Sequence, residues 1–470
     1  MPTIWSIIKV IKLHVYYVPM NPLLNPAFLL RVARSYISDM DKLREPKRKI
    51  LSQREKSFKK IFKIALRTPL YSRKYKEIKR VNGTEDIHKL PILTKDELRN
   101  ATNEELLPRS GKKFYMVSTS GSTGKPITLF TEPFTMFKTL IGFARIIREH
   151  GIRWNKTRMA IIADLSAGSA EEVYFSGVAI PSLRTFFPLK NIISFHVGED
   201  PKKIMEELER FKPEFIGGYP GILKILAIMK NRGFGEGIKP RWMATSGAVL
   251  DDYTRKYIED AFEVKIFDVY GATECSPIAF QCREGNYHVN YDLVHVEYLD
   301  DEGNPVSSGK LANIVVTRLF GDGTPIIRYS GLNDLVVPFD GNCACGMDTP
   351  IIKRIEGRRV DTIILPDGRL IPPSSFTGIP YKVMLKYGTK KIEQFQIIQH
   401  DYNKIEVLVV MDEGKEEPKD EVLLDELRKA YEGVFGEDVE VKVRKVKEIT
   451  ERREGVNVPP PVVISKVKKE

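Results

Sequence analysis

The residues Val117-Ser118-Thr119-Ser120-Gly121-Ser122-Thr123-Gly124-Lys125-Pro126-Ile127 form the stretch from which the fold of this chain can be worked out. Apolar residues precede it and return at its end, with hydroxyls, two glycines and a lysine between them. A strand, a flexible loop and a second strand can wrap around a phosphate. Glycines let the backbone approach the phosphate closely, and hydroxyl and amide groups donate hydrogen bonds to the phosphate oxygens. A Walker A loop is excluded, since Thr119 and Pro126 occupy positions where that motif needs Gly and Ser or Thr. The stretch therefore predicts a phosphate-binding loop, with a Ser/Gly-rich surface turn as the alternative.

The length and charge of the chain limit its class. At 470 residues it is too long for one core, so two or three folding units are expected. The formal net charge is +12, and the basic residues are interleaved with acidic ones, as in Arg54-Glu55-Lys56. This pattern indicates a solvated basic surface suited to anionic small molecules. Because no nucleic-acid-binding signature accompanies the charge, no nucleic-acid partner is expected.

The first apolar stretch, at residues 4–18, is interrupted by Lys9, Lys12 and His14. It is too short and too charged to span a bilayer, and no small-residue cleavage site follows it. We expect an amphipathic helix packed on the protein, with attachment to a membrane surface as the less favoured alternative. With no export signal and four scattered cysteines, the expected location is the cytoplasm. The oligomeric state stays open, a homodimer included.

Short apolar strands alternate with helices through the middle of the chain. Helices with basic faces are expected within residues 25–80, and Thr94 is expected to cap a helix whose first turn is acidic. Helices are then predicted at residues 133–150, 220–230 and 251–262, and strands at residues 159–163, 215–218, 242–247 and 264–269. This alternation predicts an α/β fold with mixed, largely parallel sheets.

Beyond residue 287 the pattern changes to short strands and turns. Strands are predicted at residues 312–317 and 326–329, before a basic hinge-like stretch at residues 354–361. Further strands at residues 393–399 and 404–410 and an amphipathic helix at residues 421–433 follow. We therefore predict a large N-terminal domain at residues 1–356, with a helical segment at residues 1–80, and a small α+β C-terminal lid domain at residues 357–470.

Three further motifs carry groups that suit a nucleotide. In Asp268-Val269-Tyr270-Gly271-Ala272-Thr273-Glu274, the tyrosine can stack a purine and the terminal glutamate can bind Mg²⁺ held by phosphates. In Arg328-Tyr329-Ser330-Gly331-Leu332-Asn333-Asp334, the last carboxylate can accept from ribose hydroxyls. In Gly357-Arg358-Arg359-Val360-Asp361, the first arginine can reach ribose or phosphate. Taken singly, the first motif is also compatible with an ordinary Tyr-Gly turn and the last with a solvated charged turn.

The order of these motifs resembles that of the adenylate-forming (AMP-binding) superfamily: Thr-Ser-Gly-Ser-Thr-Gly-Lys-Pro, Tyr-Gly-x-Thr-Glu, Arg-Tyr…Asp and Gly-Arg…Asp. Within it, the chain is most similar to the phenylacetate–CoA ligase family and its capsular-polysaccharide-type relatives. That similarity rests on Thr68-Pro69-Leu70-Tyr71-Ser72, Leu90-Pro91-Ile92-Leu93-Thr94-Lys95-Asp96-Glu97-Leu98-Arg99, Gly217-Gly218-Tyr219-Pro220 and Ala244-Thr245-Ser246-Gly247. It extends over residues 65–455.

The resemblance implies a two-step, AMP-forming acid–thiol ligase. ATP and an aryl or acyl carboxylate would form an acyl-adenylate and pyrophosphate, and coenzyme A would then take the acyl group. The residues implied to bind ATP are Ser120, Gly121, Ser122, Thr123, Gly124, Lys125, Ser246, Gly247, Tyr270, Gly271, Asp334 and Arg358. Thr273 and Glu274 are implied as catalytic, next to the α-phosphate and its Mg²⁺. The acyl pocket is expected to include residues 173–178, Phe186, Tyr219 and Ala272, from which the acid cannot be identified.

The C-terminal end departs from the superfamily pattern. A catalytic lysine is expected there after a glycine, but Val456 follows Gly455, and Lys466 is the nearest candidate for that role. The departure keeps two alternatives open. One is an adenylating enzyme whose acceptor is not coenzyme A, and the other is a nucleotide-binding relative with reduced catalysis.

Three cysteines and one histidine have the composition of a tetrahedral zinc site. They are Cys282 and His288, six residues apart, and Cys343 and Cys345 within a Cys-Ala-Cys-Gly turn. The alternative is a set of ordinary buried cysteines, and His295 is an alternative ligand. The resemblance favours a structural Zn²⁺, because similar Cys/His positions occur in phenylacetate–CoA ligase-like proteins. The fourth cysteine, Cys275, is expected to line the acyl pocket.

Overall fold

The computed structural model describes residues 22–78, 80–119, 126–166, 169–175, 190–415, 417–450 and 461–467. The helices of this part are α1 Pro26–Asp39, α2 Lys47–Ala65, α3 Pro69–Lys74, α4 Lys95–Asn100, α5 Asn103–Leu106, α6 Pro133–Glu149, α7 Ala170–Phe175, α8 Pro201–Phe211, α9 Pro220–Asn231, α10 Asp252–Phe262, α11 Ile379–Lys386 and α12 Asp420–Phe435. The predicted N-terminal helix at residues 4–18, the glycine loop at residues 120–125, Phe186 and Val456 lie outside the described residues. None of the helices in the described ranges has the length and hydropathy needed to cross a bilayer.

The strands are β1 Tyr115–Ser118, β2 Thr128–Thr131, β3 Met159–Ala163, β4 Ile192–His196, β5 Phe215–Gly218, β6 Trp242–Ser246, β7 Ile266–Ala272, β8 Ser276–Gln281, β9 Tyr287–Val289, β10 Val294–Leu299, β11 Ala312–Arg318, β12 Asp334–Phe339, β13 Ile351–Arg358, β14 Ile363–Ile364, β15 Leu370–Ile371, β16 Ile392–Asp401, β17 Lys404–Met411, β18 Glu440–Lys445 and β19 Val463–Ser465. Strands β1 and β2 pair antiparallel on either side of the glycine loop. The strand–loop–strand arrangement expected around residues 120–125 is therefore present at both ends of that loop.

An eleven-stranded sheet forms the centre of the larger part, in the order β10-β11-β12-β13-β9-β8-β7-β6-β5-β3-β4. Strands β3 to β7 pair in parallel, and the pairs beyond β7 are antiparallel. Helices α8, α9 and α10 provide crossovers between the parallel strands. The α/β prediction is confirmed, and the carboxyl ends of the parallel strands share one edge, where open α/β sheets bind ligands.

Local capping signals explain where several helices begin. Thr94 caps α4 as expected, and Glu97 completes a capping box in which each side chain accepts from the other residue's backbone N–H. Asp200 and Asp251 cap α8 and α10 by accepting from backbone N–H groups of the first turn. These caps satisfy donors that the helix itself leaves without partners, so short polar residues mark the helix starts.

The predicted strand at residues 326–329 is wrong. Arg328 has a left-handed backbone with φ +49°, which interrupts an extended strand, and Tyr329 makes only isolated bridges to Leu93 and Val316. The Arg328 guanidinium is buried and forms a 2.8 Å ion pair with Glu297. That pairing stabilises a conformation that the alternation of apolar residues cannot reveal.

The C-terminal part is a small α+β unit with a four-stranded sheet in the order β18-β17-β16-β19. Its core is continuous with side chains of α9 and α10 from the larger part. The Tyr253 hydroxyl donates to the carbonyl oxygens of Ile392 at 2.8 Å and Glu393 at 3.0 Å, and Arg232 forms a 2.7 Å ion pair with Glu393. Strand β13 continues to Arg358 before a 3₁₀ turn leads into this unit.

Candidate active site

One cavity of about 1710 Å³ lies at the carboxyl ends of the parallel strands and continues between α1, α6 and the sheet. It brings together seven residues predicted from the sequence: Ser246, Gly247, Gly271, Thr273, Glu274, Asp334 and Arg358. Thr119 and Pro126, which flank the glycine loop, also line it. Of the predicted acyl-pocket residues, Tyr219 and Ala272 line the same cavity. Motifs that are more than 200 residues apart in the chain therefore meet at one place.

The carboxylate of Glu274 is held at the turn after β7. The Tyr329 hydroxyl donates to its Oε1 at 3.0 Å, and the Arg318 guanidinium donates to its backbone oxygen at 3.1 Å. Glu274 is buried, so its orientation is fixed by these contacts rather than by solvent. A single carboxylate with phosphate oxygens is a common Mg²⁺ environment.

Asp334 begins β12 opposite Arg358 of β13. The Tyr270 hydroxyl donates to Asp334 Oδ2 at 2.7 Å. Burial raises the pKa of Asp334, and the Tyr270 hydrogen bond and the nearby Arg358 oppose that rise. Tyr270 was predicted to stack a purine, but it is not among the described residues that line the cavity, and its hydroxyl is engaged by Asp334. The tyrosine thus orients the carboxylate predicted to bind ribose.

Gly247 follows β6 with φ +81°. A Cβ atom at this position would lie 2.4 Å from Cε1 of Tyr219, so a side chain here would displace that ring. The Tyr219 hydroxyl in turn donates to Glu171 Oε1 at 3.1 Å. Burial raises the pKa of Glu171. The glycine therefore allows an aromatic ring to pack against the turn that follows β6.

Lys95 and Arg99 of α4 also line the cavity, and the sequence analysis assigned them no role there. Burial lowers the pKa of Lys95, whereas the negative charge of Glu274 opposes that change. The capping box predicts that a helix begins at Lys95, but the local sequence does not show that this helix packs beside the site. A lysine thereby contributes positive charge close to two site carboxylates.

Two predicted residues lie elsewhere. Cys275 is fully buried in the apolar core with Val117 and Ile278 and does not line the cavity, so its predicted place in the acyl pocket is wrong. The reason is that Glu274 faces the cavity and the next side chain turns to the opposite side. Lys466 follows β19, where its backbone N–H donates to Gln399 O at 2.9 Å, and it is not among the described lining residues.

A second cluster lies at the far ends of β8 and β12. The ligand atoms of Cys282, His288, Cys343 and Cys345 are all within 4.8 Å of one another. The Cys282 and Cys343 sulfurs are 3.6 Å apart, and Cys345 Sγ is 3.2 Å from His288 Nε2. Two sulfurs bound to one tetrahedral Zn²⁺ lie about 3.8 Å apart, so the residues fit that ion.

The surroundings of the cluster also suit a closed metal site. The His288 Nδ1 and Thr349 Oγ1 atoms are 3.0 Å apart, which fixes the ring with its other nitrogen towards the cysteines. Gly346 has φ +80° and closes the turn after Cys345 by donating to Cys343 O at 3.1 Å. His295, the alternative ligand, lies away from the cluster, with its Nδ1 2.7 Å from Arg54 Nη2.

Comparison of the sequence with protein families gives two matches. A profile of the AMP-binding enzyme family matches residues 10–318, and one of the CapK C-terminal domain matches residues 366–457. Protein CapK of Staphylococcus aureus is 22% identical over 330 residues, covering 69% of this chain and 70% of the relative. A phenylacetate-coenzyme A ligase of Thermus thermophilus is 24% identical over 345 residues, covering 70% and 74%.

Solved structures show the same fold. A 2-hydroxyisobutyryl-CoA ligase in the postadenylation state, in complex with R3-HIB-AMP, gives a TM-score of 0.72 at 19% identity, covering 89% of each chain. The thioesterification state of that enzyme, with 2-HIB-AMP and CoA, gives a TM-score of 0.57 at 18% identity, covering 90% of this chain and 91% of the other. The shared architecture includes the small C-terminal unit, since the coverage extends over most of both chains.

Proposed function

This chain belongs to the AMP-binding enzyme family, and from that membership we propose that it joins a carboxylic acid to a thiol at the expense of ATP. In the first step a carboxylate oxygen bonds to the α-phosphorus, the bond to the bridging oxygen breaks, and pyrophosphate leaves. In the second step the thiolate of coenzyme A bonds to the acyl carbon and AMP leaves. The relatives named as CoA ligases support this choice of acceptor.

The proposal is supported most by one observation: Glu274, Asp334 and Arg358 line a single cavity with Gly247 and Lys95. Asp334 accepts from the ribose hydroxyls, held in position by Tyr270. Arg358 and Lys95 offset negative charge on the phosphates, which is the main catalytic requirement of adenylation. When bound at Glu274, Mg²⁺ would add further charge neutralisation to the phosphates.

The test is ATP–pyrophosphate exchange over a panel of carboxylates, with Glu274→Gln as the variant. Glutamine keeps an acceptor for the Tyr329 hydroxyl but removes the charge, so folding is expected to be retained while exchange falls by about a hundredfold or more. Glu132→Gln is the control, because Glu132 is buried at the cap of α6 and lies outside the cavity lining. Undiminished exchange in Glu274→Gln would remove the assignment of Glu274, and no exchange in the native protein would remove the activity.

The acceptor is decided by a separate measurement. Because Lys466 is not among the described cavity residues and a CapK C-terminal profile matches residues 366–457, a different acceptor or reduced catalysis is the second candidate. Release of AMP that depends on coenzyme A supports the thiol ligase. If pyrophosphate exchange is rapid and coenzyme A does not change the release of AMP, the result supports another acceptor.

For the Cys282, His288, Cys343 and Cys345 cluster we propose a structural zinc site. Four protein ligands complete a tetrahedron and leave no position for a substrate, which is typical of structural rather than catalytic zinc. We also propose that residues 357–470 act as a lid over the nucleotide, since Arg358, the second residue of that stretch, lines the cavity.

A further inference from the structure

The cavity is much larger than the nucleotide site alone requires. Ligand pockets commonly have volumes of about 300–1,000 Å³, whereas this cavity has about 1710 Å³. Of the described residues predicted to contact ATP, Ser246, Gly247 and Gly271 line the cavity at the carboxyl ends of β6 and β7, and Asp334 and Arg358 line it from β12 and β13. The remaining volume lies between α1, α6 and the face of the parallel sheet.

The inner part of the cavity extends along the parallel strands and also across them, since residues of β3, β4, β5, β6 and β7 line it. It is lined at the carboxyl end of β3 by Ala163 and at the beginning of that strand by Met159. Four residue steps of a strand cover about 13 Å. Phe215 and Phe267, at the beginnings of β5 and β7, line the same inner region. The space therefore extends about 13 Å along the strands and starts beside the predicted adenylation site.

The walls of the inner part are apolar. Helix α6 contributes Phe137, Leu140, Ile141, Phe143, Ala144, Ile146, Ile147 and Thr139, and the Thr139 hydroxyl donates to Thr135 O at 3.1 Å. Helix α1 contributes Leu29, Val32, Ala33, Tyr36 and Ile37. None of the described lining residues on these two helices is charged. The Trp154 Nε1–H donates to the Tyr36 hydroxyl at 3.2 Å, so these two polar groups are paired with each other.

The inner part reaches the surface at α1. Ile37 is 75% exposed and Tyr36 is 38% exposed, although both contribute to the cavity wall. A pocket closed at its end would limit a ligand to one length. An opening at α1 instead allows an apolar group to extend beyond the sheet, so ligands of different lengths can enter the same space.

From this shape we infer that the acid adenylated at this site carries a long, unbranched aliphatic chain, with its carboxylate at the carboxyl ends of the strands and its tail along α6 towards α1. The inference rests on the proposed function and adds the substrate class to it. A rigid aromatic acid would fill only the part nearest the strand ends, and no charged side chain on α1 or α6 among the described lining residues would recognise a polar tail.

The test measures ATP-dependent pyrophosphate release with butyrate, octanoate, dodecanoate, palmitate and phenylacetate. Each buried methylene is expected to raise kcat/KM about three- to fourfold until the chain reaches α1. Ala144→Phe narrows the cavity at α6 and is expected to lower kcat/KM for palmitate at least tenfold without lowering that for butyrate. Preference of the native protein for butyrate or phenylacetate over palmitate would overturn the inference.

A second pair of variants distinguishes blockage of the cavity from misfolding. Ala33→Trp blocks the outer end from the exposed side of α1, and Ala27→Trp is its control on the same helix, exposed and outside the cavity lining. Loss of palmitate turnover in Ala33→Trp but not in Ala27→Trp supports the inference, and equal turnover in both overturns it.

Binding of cis-parinaric acid, a fluorescent long-chain acid, is measured without ATP. If no acid is turned over, the proposed function fails, yet saturable binding that is lost in Ala144→Phe still supports an aliphatic-chain site. If that probe shows no saturable binding, the inference fails even where short acids are turned over.

Discussion

Removal of the Tyr270 hydroxyl is expected to shift the pH dependence of ATP use. The rate of ATP use at high pH is expected to change less. The hydroxyl donates to Asp334 Oδ2 at 2.7 Å, and this bond favours the ionised carboxylate against the effect of burial, which raises the pKa of Asp334. Tyr270→Phe keeps the ring and removes only the donor. In this variant Asp334 takes up a proton at a higher pH. Once protonated, it is a poorer acceptor for the ribose hydroxyls.

The size of the effect follows from the energy of the hydrogen bond. A hydrogen bond to a charged group contributes about 1.5–3 kcal/mol, and one pKa unit corresponds to 1.36 kcal/mol. The pKa of Asp334 should therefore rise by about one to two units in the variant. The acid limb of kcat/KM for ATP, which reports ionisation in the free enzyme, should move upward by the same amount.

The assay is pyrophosphate exchange across a pH series, with Tyr287→Phe as the matched control. Tyr287 donates to Asp268 Oδ2 at 2.8 Å, burial likewise raises the pKa of Asp268, and neither residue lines the cavity. Both variants should lose similar stability, but only Tyr270→Phe should shift the acid limb. An unshifted limb in Tyr270→Phe, or an equal shift in both variants, would refute the role given to Asp334.

Two further predictions concern stability. Metal analysis of the purified protein should find one zinc per chain, and its removal by a chelator, or Cys343→Ser, should lower the Tm by several degrees; a metal-free protein of full stability would contradict the zinc site. Burial lowers the pKa of Lys224 to about 8, with Asp251 and Glu393 opposing, and its ammonium lies 4.3 Å from the Tyr253 ring centre. Because the unfolded chain binds the proton more tightly, native stability should rise between pH 8 and 10.5, and Lys224→Met should be more stable than the native protein at pH 7 by up to about 3 kcal/mol. Urea unfolding of both proteins at pH 7 and pH 10 should show this difference narrowing with pH, and a constant difference would contradict it.

The sequence predicted the parts of the fold that depend on local signals. Strands β3, β5, β6 and β7 and the crossover helices α9 and α10 follow from short apolar runs between helical patterns, whereas β4 and α8 were not predicted; Thr94 caps α4 as expected. The order of four motifs predicted seven of the described residues that line one cavity at the strand ends, but not Lys95. The local sequence pattern wrongly predicted a strand at residues 326–329, because an ion pair with the distant Glu297 supports the left-handed conformation of Arg328.

Other features of the site depend on contacts that no spacing reveals. The role of Tyr270 as a donor to Asp334 joins residues 64 positions apart, and the contribution of Lys95 depends on how α4 packs over the cavity. Cys275 was misplaced because adjacent residues in a tight turn face opposite sides. The large apolar space likewise arises from the packing of α1 and α6 on the sheet, whereas sequence periodicity describes only two amphipathic helices.

Strands β8 and β12 each connect the carboxylates at the cavity with the cluster of Cys282, His288, Cys343 and Cys345. Strand β8 begins two residues after Glu274 and ends beside Cys282, and β12 begins at Asp334 and leads to the loop of Cys343. Each strand spans five residue steps, or about 17 Å. A zinc ion at the proposed site would hold together the far ends of two strands whose near ends carry the carboxylates proposed to bind the nucleotide and its Mg²⁺. On these assignments, loss of zinc should weaken ATP binding, and cells short of zinc would hold protein that is present but poorly able to bind ATP.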